Sequence, residues 1–174
     1  MHASRLNNAP QNTSFSLSSI LVHSGAHRDI DVALKSFGSA TTMELIALER
    51  CGVGALFLAE LGSQMRLPKY KIFELIGLNK ALARTYMRAN RPVRGVPGMA
   101  TVAIIQLACD AQRMIDDSTA PAARGFDALE WLGQWLILPQ PALAGAMPFE
   151  LLDTSTGIRC VSSVFGAISS GAYQ

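Results

Sequence analysis

Residues Met99 to Cys109 (MATVAIIQLAC) form a run almost without polar side chains. At 3.6 residues per turn, a helix built on this run is apolar on nearly every side through Leu107, so no single flank can hide it. The rest of the chain has to wrap it. The pattern predicts a buried central helix over residues 97–117, with Pro97 at its first position, where the missing N–H costs nothing. The run is about half the roughly 20 residues that a membrane span requires, so it cannot cross a bilayer.

Helical periodicity recurs on both sides of that centre. Thr41 or Thr42 can cap a helix that carries Glu44 in its first turn and runs through Leu45, Leu48 and Glu49 to the Cys51-Gly52 break. Leu56 to Met65 repeats the apolar period. After the breaker-rich loop STAPAARG (118–125), Phe126, Leu129, Leu132 and Leu136 recur three, three and four apart as one helical stripe, which Pro139 and Pro141 end. Pro148 opens a helix of one or two turns through Leu152. Asp153 or Thr154 caps a final helix whose inward stripe is Ile158, Val161, Phe165 and Ile168. No alternating strand pattern and no internal repeat stand out. The expected fold is all-α, a helical bundle.

Segment 15–40 has weak periodicity broken by glycine and serine, and receives no element. Residues 1–14 (MHASRLNNAPQNTS) have the composition of a frayed terminus. Phe15 to Val22 is interrupted by serines and lacks a cleavage context, so the chain is expected to be cytoplasmic. Cys51, Cys109 and Cys160 lie far apart with no C-x-x-C pair, and are expected to be small buried apolar residues in a reducing compartment. The expected division is a poorly defined extension over 1–40, a first domain over 41–117 and a second over 118–174.

The net charge of +2 conceals a strong asymmetry. From Arg66 to Arg94 there are eight basic residues against the single acid Glu74, whereas from Gly95 onward there are three against seven. Two surfaces of opposite sign imply two different partners. Within the basic stretch, LPKYKIFELIGLNKALARTYMRANR has the layout of a helix-turn-helix. Pro68 starts a helix bearing Ile72 and Ile76, Gly77 supplies the turn, Leu78 plugs it and Asn79 caps the second helix. Ala83 and Tyr86 then face inward, while Asn79, Lys80, Ala81, Arg84, Thr85 and Arg88 face outward, where they could read bases in the major groove. Lys69, Lys71 and Arg91 would hold phosphates. Phe73 stands where such motifs carry alanine. Either the small Ala83 opposite makes room for it, or the motif is degenerate.

Other constellations fail. His23 and His27 share a helix-face spacing but have no Glu between them and no third ligand, so no metal is expected. Asp116-Asp117 is a solvated helix end. No nucleophile elbow, phosphate loop or Cys-His arrangement is present. The chain is expected to be a non-enzyme without catalytic residues or cofactors. Trp131 and Trp135, four apart, pack in the core or anchor an interface.

The second half then carries a pattern of its own: Phe126, Trp135-Leu136, PQPALAG at 139–145, PFELL at 148–152, Thr154, Gly157 and a closing SSGAYQ. In order and spacing this resembles the C-terminal domain of the Xre/MbcA/ParS-type antitoxins, with Gln140 for the usual Asn, Ala144 for the first Gly and Phe149 for the usual Leu. The resemblance implies an all-helical, dimeric protein that binds the operator of its own operon through the helix-turn-helix. It also implies that the C-terminal domain clamps an NAD-consuming toxin, a RES-type enzyme that degrades NAD or a related ADP-ribosylating one, in a higher hetero-oligomer, with no membrane involved. On the last helix the inward stripe leaves Arg159, Ser162, Ser163 and Ser170 outward. With the Gly171-Ala172-Tyr173 tail they form the expected toxin-binding edge over the toxin's NAD cleft. The competing reading is a stand-alone helix-turn-helix regulator whose C-terminal domain dimerises or senses a ligand.

Overall fold

The computed structural model describes residues 30–119, 121 and 125–170. Among these residues eight α-helices carry the fold: α1 Ile30–Gly38, α2 Thr42–Cys51, α3 Ala55–Gln64, α4 Lys71–Leu75, α5 Lys80–Arg88, α6 Gly95–Asp116, α7 Ala128–Leu136 and α8 Ser155–Ser169. Two 3-10 turns, Pro141–Leu143 and Pro148–Leu151, link α7 to α8. The all-α expectation holds.

As the apolar run demands, α6 is the hub. Ala100 to Ile105, Leu107 to Cys109 and Ala111 are all buried, and α1, α2, α7 and α8 pack around them. The one buried polar side chain in this stretch, Thr101, donates to the Pro97 carbonyl one turn back at 2.8 Å. Pro97 lies in the first turn, one residue pair inside the helix start at Gly95.

Three elements differ from the sequence expectation. Helix α1 occupies a segment that received no element. Ile30, Ala33, Leu34 and Phe37 are buried at spacings of three, one and three and seat the helix on α6. A two-residue antiparallel ladder, β1 Val53–Gly54 with β2 Pro92–Val93, staples the start of α3 to the start of α6. Strands this short cannot display alternation. Phe126 does not join the α7 stripe but precedes the Asp127 N-cap and is 40% exposed. Its ring lies 6.3 Å from Trp131 at the fourth helical position, the arrangement of a hydrophobic staple.

Helix caps follow the sequence closely. Thr41 and Glu44 form a reciprocal capping box, Asp127 accepts from the Glu130 amide at 2.9 Å and Thr154 from the Gly157 amide at 3.0 Å. The N-terminal helices and α7 meet where Gly133 passes Met65 at the end of α3. A Cβ at Gly133 would fall on the Met65 carbonyl oxygen and 3.0 Å from its Cβ.

The cysteines correct a composition-based expectation. Only Cys109 is buried; Cys51 and Cys160 are exposed. Cys51 ends a helix, and Cys160 falls two residues after Ile158, hence across the helix from the inward stripe. Burial raises the Cys109 thiol to about 12, and its sulfur contacts the Leu34 carbonyl at 3.3 Å. Under native conditions at neutral pH, two thiols per chain should react with a disulfide reagent and the third only on unfolding. Counting released chromophore before and after denaturant checks this.

Candidate functional site

Two surfaces emerge, one from the cationic stretch and one from the last helix. The first is built on α4, its turn and α5. Gly77 has φ +82, and the Leu78 amide reaches back to the Phe73 carbonyl at 2.8 Å, closing α4 and aiming the chain into α5. The Asn79 side chain accepts from the Leu82 amide at 3.0 Å. Ala83 is fully buried, Leu78 is buried and Tyr86 is half-buried, as the pattern required. Phe73 is buried too, 1% exposed, so the fold accommodates it in the core.

The start of α4 differs from expectation. Pro68, Lys69 and Tyr70 form a tight turn in which the Pro68 carbonyl accepts from the Lys71 amide at 2.7 Å, and the helix begins only at Lys71. Tyr70 has φ +71, a left-handed conformation that no right-handed helix can contain. The sequence carries no sign of it, because Gly or Asn is the residue expected at such a position.

Asn79, Lys80, Ala81, Arg84, Thr85 and Arg88 are all exposed on α5, with Lys69 and Arg91 exposed beside them. Lys71 stands apart from this group. It is half-buried, its ammonium 3.4 Å from Glu74 and over the ring of Phe149 in the second 3-10 turn. Arg66 pairs with Glu130 of α7 at 2.9 Å, and Arg94 donates from Nε to the Cys51 carbonyl at 2.7 Å. The excess of positive charge thus divides into ties within the fold and a free set on and around α5. Arg91 lies over the Tyr86 ring at 5.0 Å. Lys69, Lys80 and Arg84 converge on the Tyr70 ring at 5.3, 5.8 and 5.8 Å. A hydrogen bond from Arg84, reinforced by the nearby positive charge of Lys69 and Arg84, holds the Tyr70 hydroxyl below its usual phenol range. Sequence reasoning missed Tyr70 altogether.

The second surface rests on the connection between α7 and α8. The Gln140 side chain donates to the Trp135 and Leu138 carbonyls at 3.3 and 3.0 Å, covering the C-terminal end of α7. Its backbone exchanges hydrogen bonds with Ala146 and Gly145 at 3.0 and 2.9 Å, closing the turn. Leu143 and Leu152 plug the core from the two 3-10 turns, and Glu150 accepts from the Met147 amide at 2.9 Å. Behind them Trp131, Trp135 and Phe165 form one aromatic cluster with centroids 5.3 to 6.4 Å apart. Trp135 is therefore core, and its Nε1 is buried without a hydrogen-bond partner.

Ala144 sits in this turn with φ +54, where a side chain costs about 1–2 kcal/mol. Ala144→Gly should stabilise the chain by roughly 0.5–1 kcal/mol, the gain being trimmed by the freedom glycine adds to the unfolded state. Urea titration of the two proteins measures it, and a loss of stability would contradict the assigned conformation.

On α8, Val161 and Phe165 are buried, Ile158 and Ile168 are half-buried, and Arg159, Ser162, Ser163 and Ser170 are exposed. Ser162 and Ser169 also border a groove of about 540 Å³ against Asp110 and Arg113 of α6 and its C-cap Asp117. Gly171 and Tyr173, as well as His23 and His27, lie outside the described residues. Among the described residues there is no grouping of three or more metal-ligating side chains and no helix long and apolar enough to cross a membrane.

Comparison with known proteins then locates this architecture. Residues 122–171 match the family described as the antitoxin Xre/MbcA/ParS C-terminal toxin-binding domain. The chain is also similar to the Prs ADP-ribosylating antitoxin of Sphingobium sp. (strain YBL2), with 30% identity over 141 residues covering 81% of this chain and 87% of that relative. No solved structure matches.

Proposed function

The chain belongs to the Xre/MbcA/ParS-type antitoxins, and from that premise we propose that it silences a RES-type, NAD-consuming toxin and represses its own operon. The toxin is held at the exposed edge of α8, by Arg159, Ser162, Ser163 and Ser170 together with Gly171 and Tyr173 of the tail. The operator is held by Lys80, Ala81, Arg84, Thr85 and Arg88 of α5 with Asn79 at its cap, helped by Lys69 and Arg91; Lys71, turned to Glu74 and Phe149, drops out of the phosphate set. The chain itself needs no cofactor and does no chemistry. It works in the cytoplasm as a homodimer that joins its toxin in a larger hetero-oligomer.

The observation that carries this reading is the contrast between the two ends of the chain's surface. The α7–α8 connection is fixed by the Gln140 bonds and by three prolines at 139, 141 and 148, so a partner docking there orders little that is not already ordered. Its helix edge is polar and mostly small, with Arg159 its charged member, in contrast to the cations that crowd α5. The sphingobial relative's name links its system to ADP-ribosylation of Prs. Carried to this chain, that favours ADP-ribose transfer over simple NAD degradation as the partner's chemistry.

Coexpression with the product of the adjacent gene tests the proposal. The expected result is a stable complex in which NAD consumption is silent, and in which removal of residues 172–174 restores it at least in part. A toxin that stays fully active beside equimolar antitoxin would overturn the toxin half of the reading. Failure of the chain to retain DNA from directly upstream of its own start codon would overturn the operator half.

A further inference from the structure

The outward residues of α5 are not alike in the company they keep. Lys80 and Arg84, one turn apart, lean with Lys69 over one tyrosine ring, whereas Ala81, Thr85 and Arg88, spaced four and three, make a neighbouring stripe. Three cations within 6 Å of one ring centroid repel one another, and a ring quadrupole compensates only part of that repulsion. An anion brought among them would relieve that repulsion. The central residue of the group is also placed at a cost, because Tyr70 occupies a left-handed turn position that asparagine or glycine would fill without strain. Facing the guanidinium of Arg84 and the ammonium of Lys69, the phenol adds its own O–H as a donor for an anion.

We propose that Tyr70 gathers Lys69, Lys80 and Arg84 into a clamp for a DNA backbone phosphate, so that base reading falls to Ala81, Thr85 and Arg88. This rests on the operator-binding reading and divides its residues by task. The clamp supplies charge-assisted hydrogen bonds from two side-chain types and one phenol donor. The stripe supplies two methyl groups suited to thymine and one guanidinium suited to guanine O6 and N7. Asn79 belongs to neither set, because its side-chain oxygen is committed to the Leu82 amide. Tyr70 is a positioning residue as well as a donor, since it fixes where Lys80 and Arg84 stand.

The test compares binding of two duplexes across a range of salt concentrations: the DNA directly upstream of the chain's own start codon, and a shuffled duplex of equal composition. Lys80→Ala and Arg84→Ala should weaken both duplexes by the same factor and lower the slope of log affinity against log salt by about one each. The preference for the upstream duplex should survive. Arg88→Ala should instead cut that preference about tenfold or more. Tyr70→Asn relieves the backbone, so its melting temperature should hold or rise by about 2–4 °C while both duplexes bind more weakly. Tyr70→Phe, which keeps the ring and loses the donor, should fall between it and the unaltered chain. Loss of preference in Arg84→Ala with the shuffled duplex untouched would overturn the clamp and leave operator binding standing. So would a folded Tyr70→Asn that binds both duplexes normally. If the unaltered chain retains neither duplex, the operator reading falls and the clamp falls with it.

Discussion

Replacing Gly157 with valine is expected to destabilise the chain by about 3 kcal/mol or more and to lower its melting temperature by roughly 10 °C. Gly157 sits at the third position of α8, its amide donating to the Thr154 cap at 3.0 Å. A Cβ there would land on the Leu151 carbonyl oxygen, 2.8 Å from that carbonyl's carbon and 2.9 Å from the Thr154 hydroxyl oxygen. All three are held: Leu151 by the 3-10 turn that Pro148 opens, Thr154 by the cap itself. Nothing flexible can give way, so the turn and the helix must part. Because Leu152 and Val161 are both fully buried at this junction, parting them opens the core. Gly166 provides the control on the same helix. A Cβ there meets nothing within 4 Å, and Gly166→Ala should be neutral or stabilising by up to about 1 kcal/mol. Thermal melts of the three proteins decide it, and a Gly157→Val chain melting with the parent would show that the close approach is not real. Toxin neutralisation should fail in Gly157→Val for the same reason, since the α7–α8 connection would no longer present a fixed surface.

That glycine was visible in the sequence as part of a spaced pattern, but the steric reason for it was not. The same divide runs through the whole molecule. Wherever a side chain's burial decides an element, the sequence is readable: the apolar run from Met99, the α8 stripe, and caps such as Thr41, Asn79 and Thr154 all fall where their chemistry places them. What escapes is set by backbone geometry or by distant partners. Tyr70 shows nothing in its identity of its positive φ, and so the start of α4 moved from Pro68 to Lys71. The ladder between Val53–Gly54 and Pro92–Val93 depends on a pairing almost forty residues apart in the chain. Helix α1 is a different case. Its Ile30, Ala33, Leu34, Phe37 period is present, but it spans only about two and a half turns between polar breaks and packs chiefly on α6. Cys160 could also have been placed correctly, since the α8 period puts it outward; the general habit of cysteine to be buried was the weaker guide.

The functional residues divide the same way. Which cations are free to meet a partner is a tertiary property. Arg66, Lys71 and Arg94 are as basic as Lys80 or Arg88, yet each is spent on a contact within the fold, to Glu130, to Glu74 and Phe149, and to the Cys51 carbonyl. A charge count over 66–94 therefore overstates the cations uncommitted within the fold by those three.

The largest effect on function without an effect on folding is expected from Ser163→Trp. Ser163 is exposed on α8, on the far side from the buried Val161 and Phe165, so an indole there disturbs no packing and the melting temperature should stay within a degree or two of the parent. Against a docked toxin the same indole has nowhere to go. A complex that seats the toxin on this edge should lose at least about 100-fold in affinity, some 2.7 kcal/mol, because a small side chain has become an obstacle in a close-packed contact. Ser162→Trp separates two ways of docking. Ser162 borders the groove against Asp110, Arg113 and Asp117, so a toxin that inserts there should respond to Ser162→Trp more than to Ser163→Trp. Arg159→Glu should act differently from both, slowing association in a salt-dependent way rather than speeding release, as a charge at an interface rim does. Titrating toxin activity against each variant, with operator retention measured in parallel, reads all of these at once. If both tryptophan variants silence the toxin at the parent's stoichiometry, the toxin does not sit on α8. If either also loses DNA, the two surfaces are coupled through the core, where α3 packs against α4 and α5 on one side and α7 on the other.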